Sequence, residues 1–330
     1  MSFQNRLLVT YLVLIILLVG LLGASFYVYS TGILERNAYS NLKVIAEKMS
    51  QQFDSHIMPM ELLTTYLLSD GNILQSVSVL ANINRSDPSG EKYVTEARSV
   101  IQEGLISYAI DRNFYRVSFF NTNGDFLTSN FRKQDKTSNI SAVIADLPWR
   151  EEADRHQGRK VVVSPYLDPW AQYDNSKVFG LVRMIKTAGE NSYIEVQSPH
   201  IELERIFSIP EEERVNIAGY SGDAGLLYAN NTLDDELLAY YGQLASMSNM
   251  TFIDKMNPVT KKREIIVVTN SDYTDVSIVL AQDKGALFRP FLYTSYLIVA
   301  VGFLVIAISF GYIYPELPLK FITTFEFRHI

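Results

Sequence analysis

The sequence predicts an α+β fold with two mainly antiparallel sheets, suspended between two membrane-spanning helices. Three observations carry this prediction. First, the runs Leu7–Leu34 and Phe291–Tyr314 hold no charged residue. A bilayer core needs about 20 apolar residues at about 1.5 Å each, and both runs are long enough. Second, the stretch between them begins with helical periodicity and then changes to strand periodicity. Third, one hairpin device occurs twice. Arg116-Val117 opens a β-rich run that ends in Gly124-Asp125, and Arg214-Val215 opens another that ends in Gly222-Asp223. Two similar modules in tandem follow from that repeat.

Taken in order, residues 1–6 form a short cytoplasmic terminus and 7–30 the first span. The apolar run exceeds the h-region of a signal peptide, so an uncleaved anchor is expected. Arg6 before the first span, with Lys320 and Arg328 after the second, places both tails in the cytoplasm and the middle outside the cell. Residues 31–110 read as a helical stalk with a second helix. Leu34, Leu42, Ile45, Met49, Phe53, Ile57 and Met60 recur at helical spacing, a kink is expected at Pro59, and a second helix covers Pro88 to Ala109.

Residues 111–209 form the first sheet module. Phe114–Phe120 and Phe126–Ser129 flank the turn cluster Asn121-Thr122-Asn123-Gly124-Asp125. Strands follow at Lys160–Val163, Val178–Ile185 and Ser192–Val196, with a short helix from His200 to Ile209. Residues 210–288 form the second module. Its hairpin is followed by a helix around Asp234 to Ala245, opened by Thr232 and acidic residues, and by strands at Glu264–Thr269 and Val276–Ala281. Residues 289–314 are the second span, and 315–330 a cytoplasmic tail.

Composition narrows the function. The chain has 29 Lys+Arg against 36 Asp+Glu, a net charge of −7, so a basic nucleic-acid surface is not implied. It has no cysteine, which excludes disulfides and thiol chemistry. The four histidines, His56, His156, His200 and His329, lack ligand spacing, so no metal site is expected. There is no Gly-rich phosphate loop and no nucleophile elbow, and the pairs Glu151-Glu152 and Asp234-Asp235 read as helix starts. Neither an enzyme nor a cofactor is expected.

The order of elements resembles the double Cache (dCache) sensor domains of bacterial histidine kinases and chemoreceptors. The likeness is most specific from Trp149 to Phe207. It rests on Trp149-Arg150-Glu151-Glu152-Ala153, Gly158, Val163-Ser164-Pro165-Tyr166-Leu167-Asp168, Val178–Ile185 and Tyr193–Gln197 in series. That series is similar to the membrane-distal module of Gram-positive sensor kinases. The resemblance implies a tandem PAS-like fold and a ligand pocket between the distal sheet and its covering loop. In amino-acid-binding members an Arg stands two places before a Trp, a Tyr follows that Trp, and a Tyr-x-Asp and a further Asp come later. Trp149, Tyr166 and Asp168 match; Leu147, Arg150 and Gln197 occupy the other positions. Without the Arg, a ligand carboxylate lacks its two-pronged partner, so amino-acid specificity is not carried over.

The candidate ligand-binding residues are therefore Trp149, Arg150, Tyr166, Asp168, Trp170 and Arg183. Trp149 and Tyr166 combine an apolar ring with one polar group, and the competing reading is ordinary core anchors. Asp168 accepts from an amine or hydroxyl, or serves the turn before Pro169. Arg150 and Arg183 meet an anionic ligand, or are ion-paired surface groups. Trp170 and Tyr173 fall in the expected covering loop and would stack on a sugar or ring. The small-molecule ligand would be a sugar, amino acid or organic acid, and the long helices suggest a homodimer.

Pro318-Leu319-Lys320 resembles the opening of a HAMP linker. No histidine phosphorylation box follows before Ile330, so the expectation is the sensor half of a two-component histidine kinase shortened before its catalytic core. The alternatives are a chemoreceptor-type sensor and a membrane-tethered binding protein without signalling output.

Overall fold

The computed structural model describes residues 3–83, 90–109, 114–130, 140–171, 176–210, 214–222, 225–230, 233–247 and 252–313. Three helices come first: α1 (Phe3–Ser69), α2 (Gly71–Asn82) and α3 (Glu91–Ala109). The first sheet region contains β1 (Arg116–Asn121), β2 (Phe126–Thr128), α4 (Ile140–Ala145), α5 (Arg150–His156), β3 (Val161–Leu167), β4 (Lys177–Ile185) and β5 (Ser192–Pro199). After α6 (Ile201–Ile206) the second contains β6 (Val215–Ser221), β7 (Gly225–Ala229), α7 (Asp235–Ser246), β8 (Phe252–Met256), β9 (Arg263–Asn270) and β10 (Val276–Asp283). Helix α8 (Lys284–Ile313) closes the chain.

Each region forms a five-stranded sheet. The orders are β2-β1-β5-β4-β3 and β7-β6-β10-β9-β8, the same path traced twice. The pairings with stated register are antiparallel throughout. The repeated Arg-Val therefore marks the start of the equivalent strands β1 and β6, and Gly124-Asp125 leads into the edge strand β2. The fold class expected from the sequence is the one observed.

Residue contacts divide the chain into two units, 1–40 with 283–330, and 41–282. In the first, α1 and α8 each contain a stretch long and apolar enough to cross a membrane, with none of it buried. Lys284 Nζ lies 2.8 Å from Glu35 Oε1 there. In the second unit, α1 buries Leu42, Ala46, Met49, Phe53, Ile57, Met60, Leu63 and Leu67, a stripe at three- and four-residue spacing. Phe53 stacks on Phe179 of β4 at 6.3 Å, and His56 Nε2 lies 2.9 Å from Ser198 Oγ of β5. One face of the first sheet thus belongs to α1.

Details differ from the sequence reading. Helix α1 continues through Pro59, and the break comes at Asp70. Helix α3 starts at Glu91, with Pro88 outside the described residues. Strand β8 was not anticipated, and α8 begins at Lys284, so Arg289 and Pro290 lie inside it. The N-cap of α7 is Asp234, which accepts from Leu237 N. Thr232, Tyr173, Asp223 and the HAMP-like tail lie outside the described residues.

Candidate ligand-binding site

The other face of the first sheet carries the candidate site. Side chains alternate along a strand, so Tyr193, Glu195 and Gln197 of β5 share a face, as do Arg116, Ser118 and Phe120 of β1. Register places Ser118 opposite Glu195 and Arg116 opposite Gln197. Strand β4 meets β5 closely enough that a Cβ on Gly180 would lie 1.9 Å from the Val196 carbonyl oxygen, so only glycine fits there. Helices α4 and α5 with the turns around Trp149 and Trp170 cover this face. An apolar cluster forms between cover and sheet from Phe120, Phe126, Ile144, Leu147, Val161, Val182, Tyr193 and their neighbours. Helix α5 ends where Gln157 and Gly158 adopt positive φ, the left-handed conformation that turns the chain into β3.

Within this apolar shell lies a polar network centred on Glu195, which is fully buried. Trp149 Nε1 donates to Glu195 Oε1 at 3.1 Å, and Tyr166 OH donates to the same oxygen. Gln197 Nε2 donates to Glu195 Oε2 at 3.2 Å and to the Tyr166 hydroxyl oxygen at 2.9 Å. Burial raises the Glu195 carboxyl to about 7; the Tyr166 and Gln197 hydrogen bonds and the Arg116 charge oppose that rise, and Asp168 adds to it. The Tyr166 hydroxyl is pushed well up by burial and by the Glu195 charge.

Beside it sits a buried ion pair. Arg116 Nη1 lies 3.0 Å from Asp168 Oδ1, with 1% and 0% of the side chains exposed. Tyr115 OH donates to Asp168 Oδ2 at 3.3 Å and Trp170 N to Oδ1 at 3.1 Å. Among the described residues, the buried charged side chains on this face are thus one arginine and two carboxylic acids. Three further polar atoms here are buried without a hydrogen-bond partner: Ser118 Oγ, Gln197 Oε1 and Trp170 Nε1. Burying an unpartnered polar group costs about 1–3 kcal/mol, and folded proteins rarely accumulate such groups without a use for them.

The sequence-derived residues divide three ways. Trp149, Tyr166 and Asp168 meet on this face. Trp170 is also here, fully buried, with its ring stacked on Phe126 at 4.0 Å rather than displayed in a loop. Arg150 lies at the rim, half-exposed and 4.0 Å from Asp154. Arg183 faces the opposite side of the sheet, where its Nη2 donates to Glu61 of α1 at 2.9 Å. Sequence reasoning overlooked Glu195 and Arg116. A charged residue two or four places from an aromatic on the same strand face, as in Tyr193-x-Glu195 and Arg116-x-x-x-Phe120, was the available signal.

No protein-family model matches the sequence. No curated protein matches it either. Solved structures do. The ligand-binding domain of the Pseudomonas fluorescens chemoreceptor CtaA, in complex with L-isoleucine, matches with a TM-score of 0.50 at 14% identity, over 79% of this chain and 98% of that one. The corresponding domain of Campylobacter jejuni Tlp3 with L-valine gives 0.50 at 13%, over 78% and 98%. That of Pseudomonas aeruginosa PctB with L-Arg gives 0.50 at 12%, over 77% and 98%.

The fold is Cache-like. The match covers more than three quarters of the chain, which contains two sheets of the same strand order. The Glu195 network occupies its first sheet.

Proposed function

We propose that this chain is the sensory part of a transmembrane receptor, taking up a small molecule on the covered face of the first sheet. The carrying observation is that face itself: buried carboxyls in excess of cations, ringed by aromatic walls, with three polar atoms left unpartnered. In this reading the apolar stretches of α1 and α8 are the two spans, the sheets lie outside the cell, and the long helices pair two copies. The chemistry is recognition, with no bond made or broken.

Signalling follows as a shift between two arrangements of the Cache-like region. A ligand drives it only through unequal affinity for the two, about 1–3 kcal/mol of coupling. The output assigned here is a two-component histidine kinase, joined through a HAMP-like linker beginning near Pro318. A chemoreceptor is the second reading, favoured by the structural neighbours, which are chemoreceptor ligand-binding domains in complex with amino acids. Coding DNA after codon 330 that specifies a phosphoacceptor helix supports the kinase, and a methyl-accepting coil there supports the chemoreceptor.

Binding is tested by the melting temperature of the detergent-solubilised chain against amines, amino acids, organic acids and sugars. A ligand selective for the folded form raises Tm with concentration, by about 2.7 kcal/mol of stability at a hundredfold its Kd. Silence across all four classes refutes the receptor reading.

A further inference from the structure

The Glu195 face also specifies what kind of molecule it takes. We propose that it is an amine site, selective for a small ligand that carries an ammonium group and no carboxylate. This deepens the receptor reading and rests on it.

The argument is a count of donors and acceptors. Glu195 Oε1 receives two hydrogen bonds, from Trp149 and Tyr166, whereas Oε2 receives one, from Gln197. A carboxylate accepts about four, so Oε2 has room for another. Gln197 Oε1 and Ser118 Oγ are buried acceptors with no donor, and both residues are fully buried. Gln197 lies two places along β5 from Glu195, and Ser118 stands opposite Glu195 across the β1–β5 ladder. An ammonium brings three N–H donors. Glu195 Oε2, Gln197 Oε1 and Ser118 Oγ are three acceptors on one sheet face, and one protonated amine would satisfy all of them.

Charge points the same way. Arg116, the buried cation of this face, is held by Asp168. The groups that hydrogen-bond Glu195 are all neutral, and the nearby Arg116 is paired with Asp168, so a ligand ammonium would give the ionised carboxylate a counter-charge of its own. A ligand carboxylate meets the reverse situation. Arg150 sits at the rim beside Asp154, Arg183 is engaged by Glu61 on the far side of the sheet, and Leu147 is apolar and buried. An acid would therefore be desolvated against Glu195 and Asp168 with no cation assigned to it. The rings of Phe120, Trp149, Trp170 and Tyr193 supply apolar walls that also favour a cation. Trp170 Nε1 offers one donor, suited to a neutral oxygen on the ligand.

The test uses three probes of one carbon skeleton, isobutylamine, L-valine and isovalerate, titrated calorimetrically into the full chain in detergent at pH 7.5. Isobutylamine is expected to bind and isovalerate to give no heat of binding. Glu195→Gln, which keeps the shape and the neutral donors' acceptor, should weaken the amine at least tenfold. Glu195→Asp, which keeps the charge, should retain part of the affinity. Circular dichroism establishes that both variants are folded. Amine affinity unchanged in folded Glu195→Gln overturns the assignment. Binding of L-valine or isovalerate with isobutylamine silent overturns the amine class and leaves the receptor reading standing. If the wider panel also gives no shift, it is the receptor reading that fails.

Discussion

At the scale of single residues, Glu195 makes the stability of the ligand-free chain depend on pH with an unusual sign. Its carboxyl is raised to about 7 in the folded state from an ordinary value of 4.5. The folded form therefore holds its proton where the unfolded chain has released it. Stability contributed by that proton is full below about pH 4.5 and is lost as pH rises through about 7. Over that window the upper bound is about 3 kcal/mol, from about 1.4 kcal/mol per unit. Chemical denaturation at pH 6 and pH 8 should show the wild type more stable at pH 6. Glu195→Gln should remove most of that difference, and an amine bound to the ionised form should shrink it as well. Of this network, Trp149, Tyr166 and Asp168 were legible in the sequence, because aromatics and a Tyr-x-Asp spacing are local signals. Glu195 and Arg116 were not. Trp149 and Asp168, their partners, are 46 and 52 residues away, and only the packing of the covering segments on the sheet brings them together.

At the scale of elements, the helix break near residue 70 is set by local capping chemistry. A proline inside a helix costs about 3 kcal/mol. Even so, α1 continues past Pro59, where Met60, Leu63 and Leu67 extend its buried stripe. The stop comes where Asp70 adopts an extended backbone and its Oδ1 accepts from Asn72 N and Ile73 N, capping α2. Asp70→Ala should lower stability by about 1 kcal/mol in a denaturant titration, whereas Asp70→Asn should be close to neutral. Strand β8 escaped the sequence reading for a related reason. In Phe252-Ile253-Asp254-Lys255-Met256 the adjacent charges Asp254-Lys255 interrupt the alternation that marks a strand. Pairing with β9 and the two hydrogen bonds from Arg263 to Asp254 hold it in place.

The same α1 segment also joins the two sheets. Glu61 accepts from Lys160 Nζ at 2.7 Å, Arg183 Nη2 at 2.9 Å and Tyr273 OH at 2.6 Å, so one carboxylate ties the first sheet to the β9–β10 turn of the second. Lys160 also stands over the Tyr273 ring, 3.5 Å from its centre. About two turns earlier on the helix, Asp54 accepts from Ser271 and Thr274 of that turn, each at 2.7 Å. Burial pushes Glu61 upward, but Lys160, Tyr273 and Arg183 outweigh it and hold the carboxyl below its usual range. These contacts are non-local and had no counterpart in the sequence pattern, which showed only that Glu61 lies beside an apolar stripe.

At the scale of the whole molecule, the duplicated strand order was legible because a hairpin is a local object. Arg-Val, a β-rich run and Gly-Asp mark β1 and β6 without reference to anything distant. The duplication is not chemical, since the second sheet buries Tyr240, Tyr241, Leu237 and Leu244 against its face where the first places the Glu195 network. Its buried acid among the described residues, Glu264, is satisfied by Tyr241, Asn257 and Thr260. Two copies of one topology thus bury different chemistry on corresponding faces.

The chain has two tryptophans, and both indoles lie in the first-sheet core. Ultraviolet emission excited at the indole band is therefore an optical tag for one lobe, present without labelling. Backbone ellipticity, by contrast, sums over the entire polypeptide. Heating a single sample while recording both signals measures whether the lobes melt as one. Coincident midpoints are expected, given the carboxylate bridge through Glu61. Glu61→Ala should pull the two curves apart, with ellipticity falling before the emission red-shifts.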